Sequence, residues 1–334
     1  MSDNGLLKNL TQGMLPRWPY WEGRYSSGPV WNEYLAPLLG YELNNMAIAG
    51  SVPDDDYFNL PGNTTVDSGS KANATSFPTY FTVEGQITAF NTSLPGHVLP
   101  PANRNDMVAL QTGAAGFLFK SPSIVANEIT VNALVDYLTR STIAQLDQLY
   151  RIGFRNIIHV DMPDFQYCPG AALYNTYDMF RTAVSAYNEQ VAAMVNAWAA
   201  EKHDLQVFGN AEFGKFVDVS INSQAIKSAL GITDTTTSCV DKSYIAFLTE
   251  NPTVDLDHLP QNVADSLLCQ SPSTNYFFDY FHVGERVHRL AGYYMSEYVK
   301  ALRGGNTFTL DEDTLLGLIK QYKLGTDAPK PVKV

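Results

Sequence analysis

Cationic residues and cysteines are what this chain has least of: 22 Lys and Arg stand against 34 Asp and Glu, with three cysteines in 334 residues. The formal charge of −12 would be repelled by a phosphate backbone or an anionic membrane surface. Nucleic acid is therefore excluded as the natural partner, and a neutral or cationic small molecule fits better. Cys168, Cys239 and Cys269 are too few for a disulfide-dense scaffold and lack the close spacing of a structural zinc site, so one pair and one free thiol is the expectation. No apolar run approaches about 20 residues, which predicts no transmembrane segment. No basic-then-apolar leader opens the sequence, so no signal peptide is expected in it. No metal or cofactor motif is read.

What is present is a core-forming chain, 45% hydrophobic, long enough for one large α/β domain. Asn44 to Gly50 and Met107 to Gly113 read as buried strands that close on glycine turns. Between them, residues 53 to 101 are rich in Asp, Asn, Ser, Thr, Gly and Pro, which predicts a long surface excursion with one strand near Tyr80 to Val83. Leu134, Leu138, Leu146 and Leu149 recur at helical spacing and stop at Gly153, just before the apolar run Ile157 to Val160. Phe180, Val184, Tyr187, Val191, Val195 and Trp198 form a second stripe leading into Leu205 to Phe208. Two successive helix-to-strand units predict a mainly parallel, doubly wound sheet covered on both faces. Leu290 to Leu302 predicts a final long helix. Residues 1–310 are thus expected to form a single domain, followed over 311–334 by a short helix, Asp311 to Tyr322, and a loose tail.

The candidate chemistry lies at Asp279-Tyr280-Phe281-His282. A histidine acting as acid and base needs a carboxylate at Nδ1 to fix its tautomer and stabilise its charged form, and two intervening residues on a turn can bring the pair together. Tyr276-Phe277-Phe278 would deliver Asp279 at the end of a buried segment. His159 and Asp161 read as a hydrogen-bonded strand-end pair. Asp54-Asp55-Asp56 lacks the spacing of a calcium loop and reads as a solvated acidic turn. Trp18, Tyr20, Trp21, Tyr25 and Trp31 form an aromatic group suited to stacking on sugars or acyl chains, or to packing across the first helix. Sequons at Asn9, Asn63, Asn73 and Asn91 would mark exposed loops in a secreted protein.

Several blocks together give the sequence a likeness. Ser2-Asp3-Asn4-Gly5 matches the second half of Gly-Asp-Ser-x-Ser-Asp-x-Gly. Gly23-Arg24-Tyr25-Ser26-Ser27-Gly28 with Trp31 matches Gly-Arg-Phe-Ser-Asn-Gly-x-x-Trp, and Leu39-Gly40 follows it. Asn45 to Ser51 matches a second block ending on a glycine, and Asp279-x-x-His282 with His288 matches the last. In these blocks, in order over nearly the whole chain, the sequence resembles the GDSL or SGNH ester hydrolases, lipases and acylesterases. The resemblance implies a three-layer α/β/α sandwich of the SGNH, flavodoxin-like type, secretion, and an ester substrate that is a small molecule, a lipid or an acylated carbohydrate. It implies Asp279 and His282 as catalytic residues, the Gly50 amide as an oxyanion donor, a structural His288, and a Cys239–Cys269 disulfide. It also implies that the first strand and the nucleophilic serine belong upstream of Met1, two positions before Ser2, with Ser2 itself a structural residue. In the third block Ala115 of Gly113-Ala114-Ala115-Gly116 replaces the oxyanion asparagine, and Asn105-Asp106 lies before the strand and not after it. Two functions therefore stay open: an ester hydrolase, or an inactive descendant retained for carbohydrate or lipid binding or as a structural protein.

Overall fold

Five consecutive buried residues, Asn156–Val160, form the central strand of the structure, a computed structural model that describes residues 2–13, 15–62, 82–251 and 254–326. A strand with no exposed position must be covered on both faces, which a parallel sheet with helical crossovers provides. In chain order the elements before it are α1 (Leu6–Leu10), α2 (Trp31–Leu38), α3 (Val83–Ser93), β1 (Met107–Gln111), α4 (Ala114–Val125) and α5 (Val131–Ile152). The central strand is β2, followed by α6 (Pro169–Leu173), α7 (Tyr177–Ala200), β3 (Val207–Ala211), α8 (Phe213–Asn222) and α9 (Gln224–Leu230). Then come β4 (Asp234–Ser238), α10 (Ser243–Glu250), α11 (Gln261–Leu267), β5 (Asn275–Phe277), α12 (Glu285–Arg303) and α13 (Glu312–Tyr322).

β1, β2 and β3 pair in parallel in that order, with Met107 opposite Asn156 and Asn156 opposite Val207. β4 and β5 form a separate parallel pair. Helices α3, α5 and α7 pack together, and α2, α12 and α13 pack together, giving the layers of a three-layer α/β/α architecture. The stripe from Phe180 to Trp198 is buried along α7 as its spacing requires, and the leucines of α5 are buried likewise. α5 begins where the Thr130 hydroxyl accepts from the Ala133 amide at 3.1 Å and ends at Gly153, whose φ of 121° favours glycine. Asp311 caps α13 through the Thr314 amide, and Leu315, Leu318 and Ile319 enter the main core.

Two expectations change. The apolar run Asn44 to Gly50 is not a strand: among the described residues nothing pairs with residues 41–48, which are half-buried or exposed until the buried Ile48. Apolar composition predicts a strand only where a neighbour is present to take its hydrogen bonds, and among the described residues none pairs with it. The excursion from 53 to 101 contains α3, capped by the Thr82 hydroxyl on the Gly85 amide. Its short stripe of Val83, Ile87 and Phe90 was masked by polar composition. Of the strand expected at Tyr80 to Val83, the first two residues lie outside the described ones, Thr82 makes one bridge to Val52, and Val83 opens α3. The sequons at Asn63 and Asn73 and the tail from Asp327 also lie outside the described residues.

Cys239 and Cys269 are joined, and Cys168 is the buried free thiol. The bond closes a 30-residue loop and sits in a second small core with Val240, Tyr244 and Phe278, against which Trp18 and Tyr20 pack. Loop closure of this length contributes about 3.5 kcal/mol. Cys239→Ser with Cys269→Ser is therefore expected to lower unfolding free energy by roughly that amount in urea titration, with the three-stranded sheet retained.

Candidate active site

The segment after β5 doubles back on itself. The Phe278 amide donates to the His282 carbonyl at 2.8 Å and the Gly284 amide to the Tyr276 carbonyl at 2.8 Å, which closes residues 278–283 into a tight turn. Inside that turn Asp279 Oδ1 accepts from the amides of Phe281 (2.8 Å) and His282 (2.7 Å), the local bonding that favours Asp at turn openings. Both carboxylate oxygens then lie 2.9 and 2.8 Å from His282 Nδ1, and Tyr20 donates its hydroxyl to Oδ2 at 3.0 Å. Asp279 is buried. Burial alone would raise its pKa, but the charge and hydrogen bond of His282 and the two amides outweigh it and hold the carboxyl below the usual range.

The His282 side chain keeps 24% of its surface exposed and stacks on Tyr25 with centroids 5.0 Å apart. Among the described residues its hydrogen bonds run through Nδ1, which leaves Nε2 for a reacting group. The loop is pinned from below by α6: the Gly170 amide donates to the Tyr280 carbonyl at 2.9 Å. The Phe281 ring lies where a Cβ on Gly170 would stand, 2.4 Å from Phe281 Cζ. His288 is buried six residues on in α12, without a partner for Nε2 among the described residues, and burial holds its pKa well below the ordinary value.

The family model for "GDSL-like Lipase/Acylhydrolase" matches residues 10–295, a span that takes in Asp279 and His282. The chain belongs to the GDSL-like lipase/acylhydrolase family. It is also similar to a protein named GDSL esterase/lipase 6 from Arabidopsis thaliana, at 19% identity over 300 residues, 85% of this chain and 76% of that protein.

In this GDSL-family chain the remaining candidates gather at the carboxyl ends of the parallel strands, where ligands of open α/β sheets bind. Ser2 lies beside the last residue of β1. Its hydroxyl donates to Gln111 Oε1 at 2.9 Å and accepts from Trp31 Nε1 at 3.1 Å, and its carbonyl accepts from Asn32 and Asn45. Asp3 accepts from the Gly5, Leu6 and Leu7 amides that open α1, and from the Ala49 amide at 2.8 Å, tying the N-terminal segment to the turn that carries Gly50. That turn is closed by the Ser51 amide on the Ile48 carbonyl at 3.3 Å, and it needs glycine at position 50 for a φ of 80°. The Gly50 amide has no hydrogen-bond acceptor among the described residues. Ala115 stands in the first turn of α4, after Gly113 at φ 93°, and offers no side-chain donor. Asn105 and Asp106 are at the opposite end of β1; the Asn105 carbonyl accepts from Tyr41 and the Asp106 carboxylate from Asn103.

The aromatic group divides by role. Tyr20 and Tyr25 serve the Asp279–His282 pair, Trp31 is buried against Ser2 and Phe213, and Trp18 packs against Tyr244. Only the residue types were legible beforehand, because the Tyr20–Asp279 contact joins residues 259 apart. Asp54 accepts from the Tyr57 amide, Tyr137 and Ser141, which makes it a structural cap. His159 and Asp161 are not bonded to each other: His159 Nδ1 pairs with Asn210 Oδ1, and Asp161 accepts from the Gly214 amide at 2.9 Å. His159, on β2, takes a side-chain partner on the neighbouring β3, and Asp161, just past the end of β2, takes a main-chain partner at the start of α8.

Burial raises the Asp161 pKa from 3.8 to about 7, against the Gly214 and Phe213 amides that lower it. Between those values the unfolded chain is ionised while the folded one holds its proton, so stability falls as pH rises from about 4 to about 7. Asp161→Asn removes that slope. Its thermal midpoint is expected to gain on the parent progressively over this window, with the largest gain at pH 8 and little difference at pH 4.

Proposed function

We propose that the protein hydrolyses carboxylic esters by acyl transfer, with His282 as acid and base, Asp279 as its orienting carboxylate and the Gly50 amide as an oxyanion donor. The nucleophile in this reading is a serine standing immediately before Met1, two positions ahead of Ser2. Its oxygen attacks the ester carbonyl while His282 Nε2 takes the hydroxyl proton. The Gly50 N–H receives the developing oxyanion, and His282 returns the proton to the departing alkoxide. Water then repeats the sequence on the acyl-serine, releasing the acid and restoring the hydroxyl. Substrates in this reading are small-molecule, lipid or acylated-carbohydrate esters. A secreted setting accords with the Cys239–Cys269 bond, since disulfides persist in oxidising compartments.

The observation that carries the reading is the doubly bonded Asp279–His282 pair, with the carboxylate locked by two amides and Tyr20 while the histidine ring stays reachable. Ser2 is a poor alternative nucleophile because its hydroxyl is already committed to Gln111 and Trp31. One observation favours the second reading, a non-catalytic binding or structural protein: Ala115 supplies no donor where the family pattern has asparagine.

Hydrolysis of p-nitrophenyl acetate separates the two. Loss of one oxyanion donor costs on the order of 10² to 10³ in turnover. In a chain carrying the upstream serine, Ala115→Asn is therefore expected to raise kcat by at least tenfold. A catalytic reading requires turnover that His282→Ala removes; turnover indifferent to His282→Ala contradicts it.

A further inference from the structure

Among the described residues, three donors other than the His282 ring reach the Asp279 carboxylate, and one of them is not needed by the turn. The Phe281 and His282 amides close the turn on Oδ1. The Tyr20 hydroxyl comes from 259 residues away and lies 3.0 Å from Oδ2, the oxygen that stands 2.8 Å from His282 Nδ1. Its aim is fixed by packing. The Tyr20 ring meets Phe278 edge-on with centroids 5.5 Å apart, Tyr25 at 5.0 Å and Tyr244 of α10 at 6.4 Å. The second core that carries Phe278 and Tyr244 is itself cross-linked by Cys239 and Cys269. Burial first, and then the Asp279 charge, push the Tyr20 hydroxyl far above its usual range, so it remains a donor wherever the protein is folded.

We propose that Tyr20 is a positioning residue that acts through Asp279: its hydrogen bond to Oδ2 makes His282 a weaker base, so the ring is ready to accept a proton at lower pH. The inference rests on the Asp279–His282 pairing of the proposed mechanism and adds a control over it. A carboxylate divides its charge among its donors, so the share taken by Tyr20 is withdrawn from Nδ1–H and the imidazolium is stabilised less. The other titratable groups around the pair do not offset this. Burial pushes the Tyr25 hydroxyl, stacked on His282, and that of Tyr244 up to about 12. Burial likewise raises the Cys168 thiol, just before α6, and lowers His288 of α12. All four are uncharged at neutral pH. The Asp3 carboxylate acts on Tyr25 by its charge, but it is held by the Gly5, Leu6, Leu7 and Ala49 amides. Asp279 is thus the charge in contact with His282, and Tyr20 is the other side chain hydrogen-bonded to it among the described residues.

The test follows the His282 ring by NMR across the histidine titration range, in the purified chain labelled with carbon-13 at histidine Cε1, the signal being assigned by its loss in His282→Ala. The titration needs no turnover, so its outcome is separate from that of ester hydrolysis. Tyr20→Phe keeps the ring and its contacts and removes the hydroxyl alone. Its His282 midpoint is expected to rise by about 0.5 pH unit or more, because hydrogen bonds to charged groups are among the stronger ones. Below the midpoint, that leaves about threefold less of the unprotonated base. Tyr244→Phe is the control: it removes a hydroxyl of the same cluster that donates to the Trp18 carbonyl. It is expected to leave the midpoint within about 0.1 unit of the parent's, both variants having the parent's circular dichroism. An unchanged or lower midpoint in Tyr20→Phe would overturn the proposal, and so would an equal rise in Tyr244→Phe.

Discussion

A chain lengthened so that an apolar strand and a serine stand immediately before Met1 is expected to hydrolyse p-nitrophenyl acetate on the order of 10⁴-fold or more faster than the same chain with alanine there. The size follows from what the serine supplies. Asp279 and His282 can remove a proton only from a group within hydrogen-bond reach, and the Ser2 hydroxyl is held instead by Gln111 and Trp31. Without the upstream serine, only oxyanion donation and substrate binding remain, and these by themselves leave a small fraction of the catalysis. Comparing kcat for the serine and alanine forms, with matching circular dichroism, checks the expectation. Equal rates would show that the nucleophile is elsewhere.

The second large effect is that of Asp279→Asn in the serine-bearing form, a fall in kcat on the order of 10³ to 10⁴ with KM little changed. The amide oxygen can still accept from the Phe281 and His282 main chain, so the turn is kept. What is lost is the negative charge beside Nδ1 and the certainty that Nε2 is unprotonated before the reaction. Asp279→Ala differs, because it strands two amides and the Tyr20 hydroxyl in a buried place. It is expected to cost about 3 kcal/mol or more in unfolding free energy besides activity. Finding Asp279→Asn as active as the parent would remove the carboxylate from the mechanism.

Both residues were legible in the sequence because they lie three apart and are preceded by an apolar segment, and so were the helices whose stripes run unbroken, such as Phe180 to Trp198. The polar shell around them was not. Tyr20 and Tyr25 reach Asp279 and His282 from the other end of the chain, and no local pattern distinguishes such a tyrosine from a packing one. Asp3 belongs to a recognisable block, but its hold on the Gly50 turn through the Ala49 amide joins residues 46 apart and has no local signature. The segment Asn44 to Gly50 shows the converse limit. Its composition is that of a buried strand, yet strand pairing belongs to two segments at once, and among the described residues no strand pairs with it. α3 was hidden by the opposite effect, a helix whose buried face combines Val83 and Ile87 with the polar Gln86 amid polar sequence.

Labelling with a fluorophosphonate, mapped by mass spectrometry, tests the central claim most directly, because the reagent bonds only to a serine activated by its own base. In the serine-bearing chain the label is predicted on the residue immediately before Met1, with His282→Ala abolishing it. A label on Ser2, or one at the same rate in His282→Ala, would contradict the assignment of Asp279 and His282 as the acid–base pair of this site.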